Sequence, residues 1–437
     1  MADRQSIRVR ETLKSLFSDQ RLNALSRRSE FVVRRRKVNP VAFFWTLVLG
    51  FGVGSTRNVS GLRRAYQRST GTKLVPSSFY DRFNDRLVAF LKAAVEHALD
   101  EFQLAIHDVG CSFEAFRDIM ITDSTVIKLH DALAKTFPGS RTTTSPASAK
   151  VHAVMSVKGR GKSTIKLTNG RVHDRKKFVV KDWVRGRLLL FDLGYYHFQL
   201  FRNIVREKGH FLSRVKDNAN LKIVGVLNGT PCDKRFVDQK LQDVLVGLRR
   251  DVLEVEVEVR AKARVYKGKR RTSVDRYRLV AIRNEKERKY HCYMTSVPSD
   301  VLSARDIAAT YRARWEIELV FKELKSGYRL DDVDSQKKEV VESLIYAAVL
   351  TLLASRTLLR SIAEHAGALR DRITPGRWWK VFSEYAQELQ LAVIRPPREA
   401  PPLKNLVTTI VHELIDPHTK RQPLLRATLG GPCKLLK

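Results

Sequence analysis

The sequence predicts an α/β fold: a mixed sheet with flanking helices, interrupted by a β-rich insertion and set between helical N- and C-terminal regions. Three observations predict it. Short strand-like runs cluster between Phe116 and Val215, alternation of apolar and polar residues returns between Lys216 and Val297, and helical patterns occupy both ends. The expected divisions are 1–115, 116–215, 216–300, 301–365 and 366–437.

From Gln5 to about Leu99 the pattern is helical, with a basic run Arg34-Arg35-Arg36-Lys37 ahead of an apolar stretch through Phe43, Phe44, Trp45 and Leu47. Val59 to Arg68 reads as one helix and Ser77 to Leu91 as another, joined by Gly71-Thr72 and Pro76, with Ser77 or Ser78 as N-cap. The pair is helix-turn-helix-like and would expose Arg63, Arg64, Arg82 and Arg86, with Arg63 and Arg82 as candidate DNA contacts. An ordinary αα-hairpin has the same signature.

The strand-like runs that follow are Ile119 to Ile121, Val151 to Val157, Thr164 to Leu167, Leu188 to Phe191 and Phe211 to Val215. Two of them, apolar on both faces, run straight into an aspartate: Asp123 after Ile119-Met120-Ile121-Thr122, and Asp192 after Leu188-Leu189-Leu190-Phe191. A buried strand that ends this way delivers an acid to the edge of a sheet. Alternation in Val252 to Val259 and Tyr277 to Ile282 marks the insertion, which is also strongly basic: residues 260–289 hold 13 Lys and Arg against three acids. Helix returns at Ala304 to Gly327 and at Val340 to Glu364. After Gly367, helix-compatible segments surround Pro396-Pro397 and Pro401-Pro402.

With 81 Lys and Arg against 46 Asp and Glu the net charge is +35. Such self-repulsion calls for a polyanion, first of all nucleic acid. The apolar runs Val41 to Val53 and Leu344 to Ala354 are too short to span a bilayer, and Met1 to Arg10 lacks the apolar core of a secretory signal. No membrane partner is expected. Cys111, Cys232, Cys292 and Cys433 show no paired short spacing, which argues against a zinc site or a disulfide framework and fits a reducing cytoplasm.

Tyr311, Arg314, Glu318 and Lys325 stand at offsets of 0, 3, 7 and 14. On one continuous α-helix these point to roughly 0°, 300°, 340° and 320°, an arc of about 60°. Ala313, Ile317, Val320, Phe321 and Leu324 gather on another arc, so the segment reads as a core-anchored helix with one polar face. Asp123, Asp192 and Glu318 are the three acids expected to meet. Each also has a local role open to it: Asp123 in a turn with Ser124 and Thr125, Asp192 in the turn at Gly194, Glu318 in a pair with Arg314 or Lys322. Hard divalent cations such as Mg²⁺ take oxygen ligands, and a pair of them suits phosphodiester cleavage. The order strand acid, strand acid, helix acid, with a β-rich segment before the last, is that of an RNase H-like polynucleotidyl transferase.

The string Tyr311-Arg-Ala-Arg314-Trp-Glu-Ile-Glu318 followed by Lys325 resembles the YREK signature of bacterial DDE transposases of the insertion-sequence-four type. Ile121-Thr-Asp123-Ser-Thr is similar to that family's first acid motif and Phe191-Asp192-Leu-Gly194-Tyr195-Tyr196 to its second. Phe211-Leu-Ser-Arg214-Val-Lys216 and Tyr293-Met-Thr-Ser-Val-Pro298 also have counterparts there. The resemblance implies an RNase H-like core in which Asp123, Asp192 and Glu318 bind two Mg²⁺ ions, with Mn²⁺ able to substitute. It implies phosphate contacts for Tyr311, Arg314 and Lys325, with Lys322 and Arg214 as further DNA-binding candidates. Relatives with a β insertion use it to hold a hairpin end, with an aromatic side chain on a flipped base. Tyr290 and His291 lie in the corresponding stretch, but no tryptophan does, so stacking and packing stay open for them. Trp315 is expected to pack the helix.

The implied activity is binding of terminal inverted repeats, cleavage at the element ends and joining of the 3′-OH ends to target DNA. The implied setting is a homodimer on double-stranded DNA in a prokaryotic cytoplasm, at the nucleoid. A catalytically silent DNA-binding derivative is the alternative; all three acids and all four signature residues are present, which disfavours it. A tyrosine recombinase using Tyr311 would need more Arg and His activators than the sequence places around it.

Overall fold

The computed structural model describes residues 2–32, 38–51, 57–105, 110, 113–140, 145–262, 272–284, 287–365, 373, 375–400 and 412–414. The basic run at 34–37, Cys111, Cys433, Pro401-Pro402 and, within the basic stretch 260–289, residues 263–271 and 285–286 lie outside the described residues. The helical N-terminal part comprises α1 (Ala2–Leu16), α2 (Asp19–Arg28), α3 (Pro40–Leu49), α4 (Val59–Thr70), α5 (Pro76–Tyr80) and α6 (Asp85–Asp100). Then come β1 (Asp118–Lys128), β2 (Ser148–Ser156), β3 (Thr164–Asn169), α7 (Asp174–Lys177), β4 (Arg187–Phe191), α8 (Phe198–Arg206) and β5 (His210–Arg214). The segment after them contains β6 (Lys222–Asn228), α9 (Leu241–Gly247), β7 (Val252–Lys262), β8 (Thr272–Asn284) and β9 (Lys289–Thr295). Helices α10 (Ala304–Arg312), α11 (Trp315–Lys322), α12 (Lys338–His365), α13 (Pro375–Glu384) and α14 (Ala386–Ile394) complete the order.

Local chemistry explains the helix starts. The Asn39 side chain accepts from the amides of Val41 and Ala42 with Pro40 at the first helical position, and Asn58 and Asn84 cap α4 and α6 in the same way. Gly71, at φ 71°, closes α4 in the left-handed region that only glycine enters at no steric cost. The helix expected over Ser77 to Leu91 is instead two, α5 and α6, because Asn84 offers its side chain as a cap and interrupts the first helix. The cap of α5 is Val75, ahead of Pro76, and not Ser77 or Ser78.

All nine strands form one sheet in the order β3-β2-β1-β4-β5-β9-β8-β7-β6. The first five have the RNase H-like arrangement: β1 pairs antiparallel with β2 and β2 with β3, while β1 pairs parallel with β4 and β4 with β5. The strands of the insertion extend this sheet through the antiparallel pairing of β9 with β5, at Leu212 with Thr295 and Arg214 with Tyr293. β1 does not end at Asp123, as its sequence suggested, but continues to Lys128. The antiparallel partner β2 carries it onward, whereas its parallel pairing with β4 stops at Thr122 and Phe191.

The period of two along β1 splits the interior. Ile119 and Ile121 join Leu188 and Leu190 in one core, and Met120 joins Leu189, Phe191 and Phe211 in a second on the other face. The first core also takes in α3, α6 and the 28-residue α12, so the N-terminal helices and the helices after residue 301 bury a common interior. At about 1.5–3 kcal/mol per fully buried large aliphatic or aromatic side chain, the rows of Phe and Leu on α3 and α12 are a main source of its stability. α12 is long and apolar enough to cross a membrane, but it lies buried against α6, α1 and α3 as a core helix.

Candidate active site

Sheet register brings the two aspartates together. Because Thr122 lies opposite Phe191 in a parallel pair, Asp123 and Asp192 are the next residues on neighbouring strands, and both fall on the face of Ile119, Ile121, Leu188 and Leu190. Strand β4 ends there, so Asp192 opens a short 3₁₀ turn while Asp123 is still held by β2 opposite Ala153. The Ser124 amide donates to Asp123 Oδ1 at 2.8 Å, fixing that carboxylate from its own backbone.

The third acid arrives from above this face. α11 packs on β1 through Ile317 and Val320, which are fully buried, and this leaves Glu318 partly exposed on the side toward the aspartates. The single continuous helix expected from Ala304 to Gly327 is not what forms. α10 ends at Arg312, Ala313 and Arg314 make a tight turn, and α11 passes into one π-type turn at Glu323–Gly327. Tyr311, Arg314 and Glu318 therefore meet through a broken helix, with Tyr311 at the end of α10, Arg314 as the cap of α11 and Glu318 within it, while Lys325 lies in the wider turn. Extra residues per turn swing Lys325 onto the sheet, where its ammonium donates to the Val126 carbonyl of β1 at 3.0 Å.

Arg314 is the cation between the acids. Its guanidinium donates to Glu318 Oε1 at 2.6 Å, lies 3.8 Å from Asp123 Oδ2, and stands over the Tyr311 ring at 5.6 Å. Burial, then the neighbouring charges of Asp192 and Glu318, pushes the Asp123 carboxyl up to about 6, against the lowering pull of Ser124 and Arg314. Asp192 and Glu318 thus both act electrostatically on Asp123. Burial works against the charge of Arg314, but Tyr311, Glu318 and Asp192 outweigh it and hold the guanidinium above its ordinary value. Burial pushes the Tyr311 phenol up to about 12, so it is a hydrogen-bond donor and no ready nucleophile. Its ring packs on Tyr293 at 5.2 Å.

Among the described residues no three Asp, Glu, His or Cys side chains stand close enough together to hold an ion as placed. Asp123 and Glu318 are both turned to Arg314. The donor set nonetheless suits a hard divalent cation in its chemistry: the charges of Asp192 and Glu318 both reach the buried Asp123, and the one guanidinium in contact stands against Asp123 and Glu318.

The other expected residues fall into three groups. Lys322 is exposed on α11, and Arg214 on β5 lies near enough to Tyr311 and Tyr293 to act on both phenols. Tyr290 and His291 line a basic cavity of about 540 Å³ together with Arg214, Lys216 and Arg283. There the Tyr290 hydroxyl donates to the carbonyls of Leu248 (3.2 Å) and Arg250 (2.5 Å), and the His291 ring bonds Glu287 at 3.0 Å. Arg63 and Arg82 belong to the N-terminal helices. Arg63 donates to the Leu74 carbonyl at 3.0 Å, closing the α4–α5 connection, and Arg82 lines a cavity with Tyr66 and Arg395. Trp315, expected to pack the helix, is 52% exposed.

Two clusters escaped the sequence reading. Beneath α11, Arg356 of α12 donates from Nε and Nη2 to Glu323 Oε2 at 2.9 and 2.6 Å and lies 3.5 Å from Glu316, all three buried. Burial pushes Glu316 up to about 7. This group pins the helix that carries Glu318. On the opposite face of β1, Asp174 accepts from Ser124 Oγ at 2.7 Å and lies 3.3 Å from Lys150 and 3.4 Å from His152. Burial opposes the Asp174 charge, yet His152, Ser124 and Lys150 hold its carboxyl far below the usual range. Helical spacing within one segment carries no signal for either cluster, since each joins residues of distant elements.

Residues 114–354, more than half of the chain, match the family described as Transposase DDE domain. The transposase for insertion sequence element IS1151 of Clostridium perfringens is 22% identical over 386 residues, 80% of each chain. That of IS231F from Bacillus thuringiensis subsp. israelensis is 24% identical over 395 residues, again 80% of each. Among solved structures, a piggyBac transposase synaptic complex with hairpin DNA, determined by cryo-EM, covers 94% of this chain and 86% of its own at 11% identity and a TM-score of 0.43. An acid pair set by parallel register, a helix acid above it and a family match spanning all of these elements lead to one conclusion: the chain belongs to the DDE transposases.

Proposed function

We propose that this transposase binds the terminal inverted repeats of an insertion sequence, cleaves DNA at the element ends and joins the freed 3′-OH ends to target DNA. The observation that carries this reading is the convergence of Asp123, Asp192 and Glu318 on one sheet face with Arg314 among them. Asp123, Asp192 and Glu318 would hold two Mg²⁺ ions, or Mn²⁺ in their place, and bound there the ions supply activation of the attacking oxygen and stabilisation of the leaving one. Arg314 offers a planar fork to a phosphate, Lys325 and Lys322 point charges, Tyr311 a hydroxyl donor, and Arg214 a further cation beside it.

In the same reading residues 1–115 recognise DNA, residues 366–437 serve dimerisation or DNA contact, and the basic cavity at Tyr290 and His291 receives part of the element end. Pairing two ends calls for a homodimer working on DNA in the cytoplasm, at the nucleoid. The test is Asp192→Asn, assayed on the DNA that flanks this gene. Strand cleavage in Mg²⁺ is expected to vanish while binding to the terminal duplex persists, and retained cleavage would sink the assignment.

A further inference from the structure

The face of the sheet opposite the acids carries a second concavity that the reaction described above does not use. It is a cavity of about 220 Å³ over β1, β2 and β3, floored by Phe178, Trp183 and Tyr195. These rings pack on one another, Phe178 lying 5.6 Å from Trp183 and 6.0 Å from Tyr195, and the indole N–H is fixed on the Val179 carbonyl at 2.9 Å. Lys162, Lys166 and Lys177 stand around the opening. Lys162 meets Asp100 at 3.0 Å in an exposed pair, and Lys166 reaches the Lys177 carbonyl only at 3.5 Å, so neither ammonium is committed to a buried partner. His152 and Asp174 add polar groups at the inner wall.

A small aromatic pocket with a cationic rim has the chemistry of a nucleotide: a ring to stack and a phosphate to neutralise. The volume admits one planar ring system and excludes a duplex. Ser124 ties the pocket to the acids, since its amide holds Asp123 while its hydroxyl holds Asp174. The two sites therefore lie back to back across one strand. We propose that this pocket binds an unpaired nucleotide of a DNA strand, its base stacked on Trp183 with an edge toward Phe178, which stands at 65° to the indole, and its phosphate on Lys166 and Lys177. Resting as it does on the reading of this chain as a DNA-processing enzyme, the inference adds a single-strand site to it. Stacking tolerates any base, so the site would anchor a strand without reading its sequence.

The test measures binding of the full-length protein to a labelled twelve-residue oligo-dT, to the same strand with abasic positions, and to a duplex of equal length, by fluorescence anisotropy. Trp183→Ala is expected to weaken oligo-dT binding about tenfold or more, by analogy with loss of one stacked base. Abasic positions should produce the same loss in the parent protein and no further loss in the variant, and duplex affinity should stay within about twofold of the parent. Because Trp183 also packs on Phe178, the double variant Lys166→Glu, Lys177→Glu keeps the aromatic floor and is expected to weaken oligo-dT binding with a shallower salt dependence. Equal oligo-dT affinity in the parent protein and both variants would overturn the proposal, as would equal affinity for the abasic strand. Loss of duplex binding by the parent protein would instead overturn the reading of the chain as a DNA-processing enzyme.

Discussion

Arg314 donates to Glu318 at 2.6 Å, and the same guanidinium reaches within 3.8 Å of Asp123. One side chain thus holds two of the three acids while it also belongs to the set expected to contact DNA. Both demands suit a planar fork of five donors, which can turn from carboxylate to phosphate without losing its charge. Arg314→Ala is expected to weaken binding to the element-end duplex and to lower the slope of log K against log salt by about one phosphate contact. Filter binding across a KCl series measures both quantities.

The raised Asp123 carboxyl makes stability depend on pH in a definite direction. Its folded value of about 6 exceeds the ordinary 3.8, so the folded state binds the extra proton between these values. Stability from this group is complete below pH 3.8 and is lost as pH rises through about 6. Asp123→Asn should therefore stabilise the metal-free protein at pH 7.5 by about 1–3 kcal/mol and leave it nearly unchanged at pH 4, as read by urea unfolding at the two values.

The buried trio of Arg356, Glu316 and Glu323 should be costly to break from one side only. Arg356→Leu leaves two carboxylates in the interior without their cation, a change worth about 3–5 kcal/mol of destabilisation. Denaturant midpoints measure it. Replacing Glu323 by Gln in addition should recover part of the loss, since one buried negative charge goes with it.

Tyr290 separates two roles for an aromatic residue in the insertion. Its hydroxyl donates to two backbone carbonyls, so Tyr290→Phe should cost about 1 kcal/mol of stability through the lost hydrogen bonds. The ring remains in that variant. End binding should be unchanged if the ring is the contact surface, and Tyr290→Ala should weaken it; a duplex-binding titration of both variants decides.

Strands β1, β2, β4 and β5 could be read from the chain because each contains a short apolar run, β3 because Ile165 and Leu167 alternate with polar residues, and the acids because each follows an apolar run or stands on an apolar-periodic helix. The site was less fully legible. Tyr311, Arg314 and Glu318 meet, but through a turn at Ala313-Arg314, and Lys325 reaches the Val126 carbonyl from a π-type turn that no fixed angle per residue describes. Arg63 reads as a free cation in sequence, yet the end of its side chain closes a loop, because the Leu74 carbonyl lies within reach.

What the sequence by itself determined is therefore local: the +35 charge, the runs that become strands, the apolar faces of the helices, and the residues able to bear the chemistry. Only the tertiary structure decided which of them meet. Parallel register sets Asp123 beside Asp192, packing of α11 on β1 brings Glu318 over them, and Asp174 and Arg356 enter from elements about fifty and forty residues away along the chain. The physical reason is that periodicity is a property of neighbours within one element, whereas register and burial depend on every element that covers it.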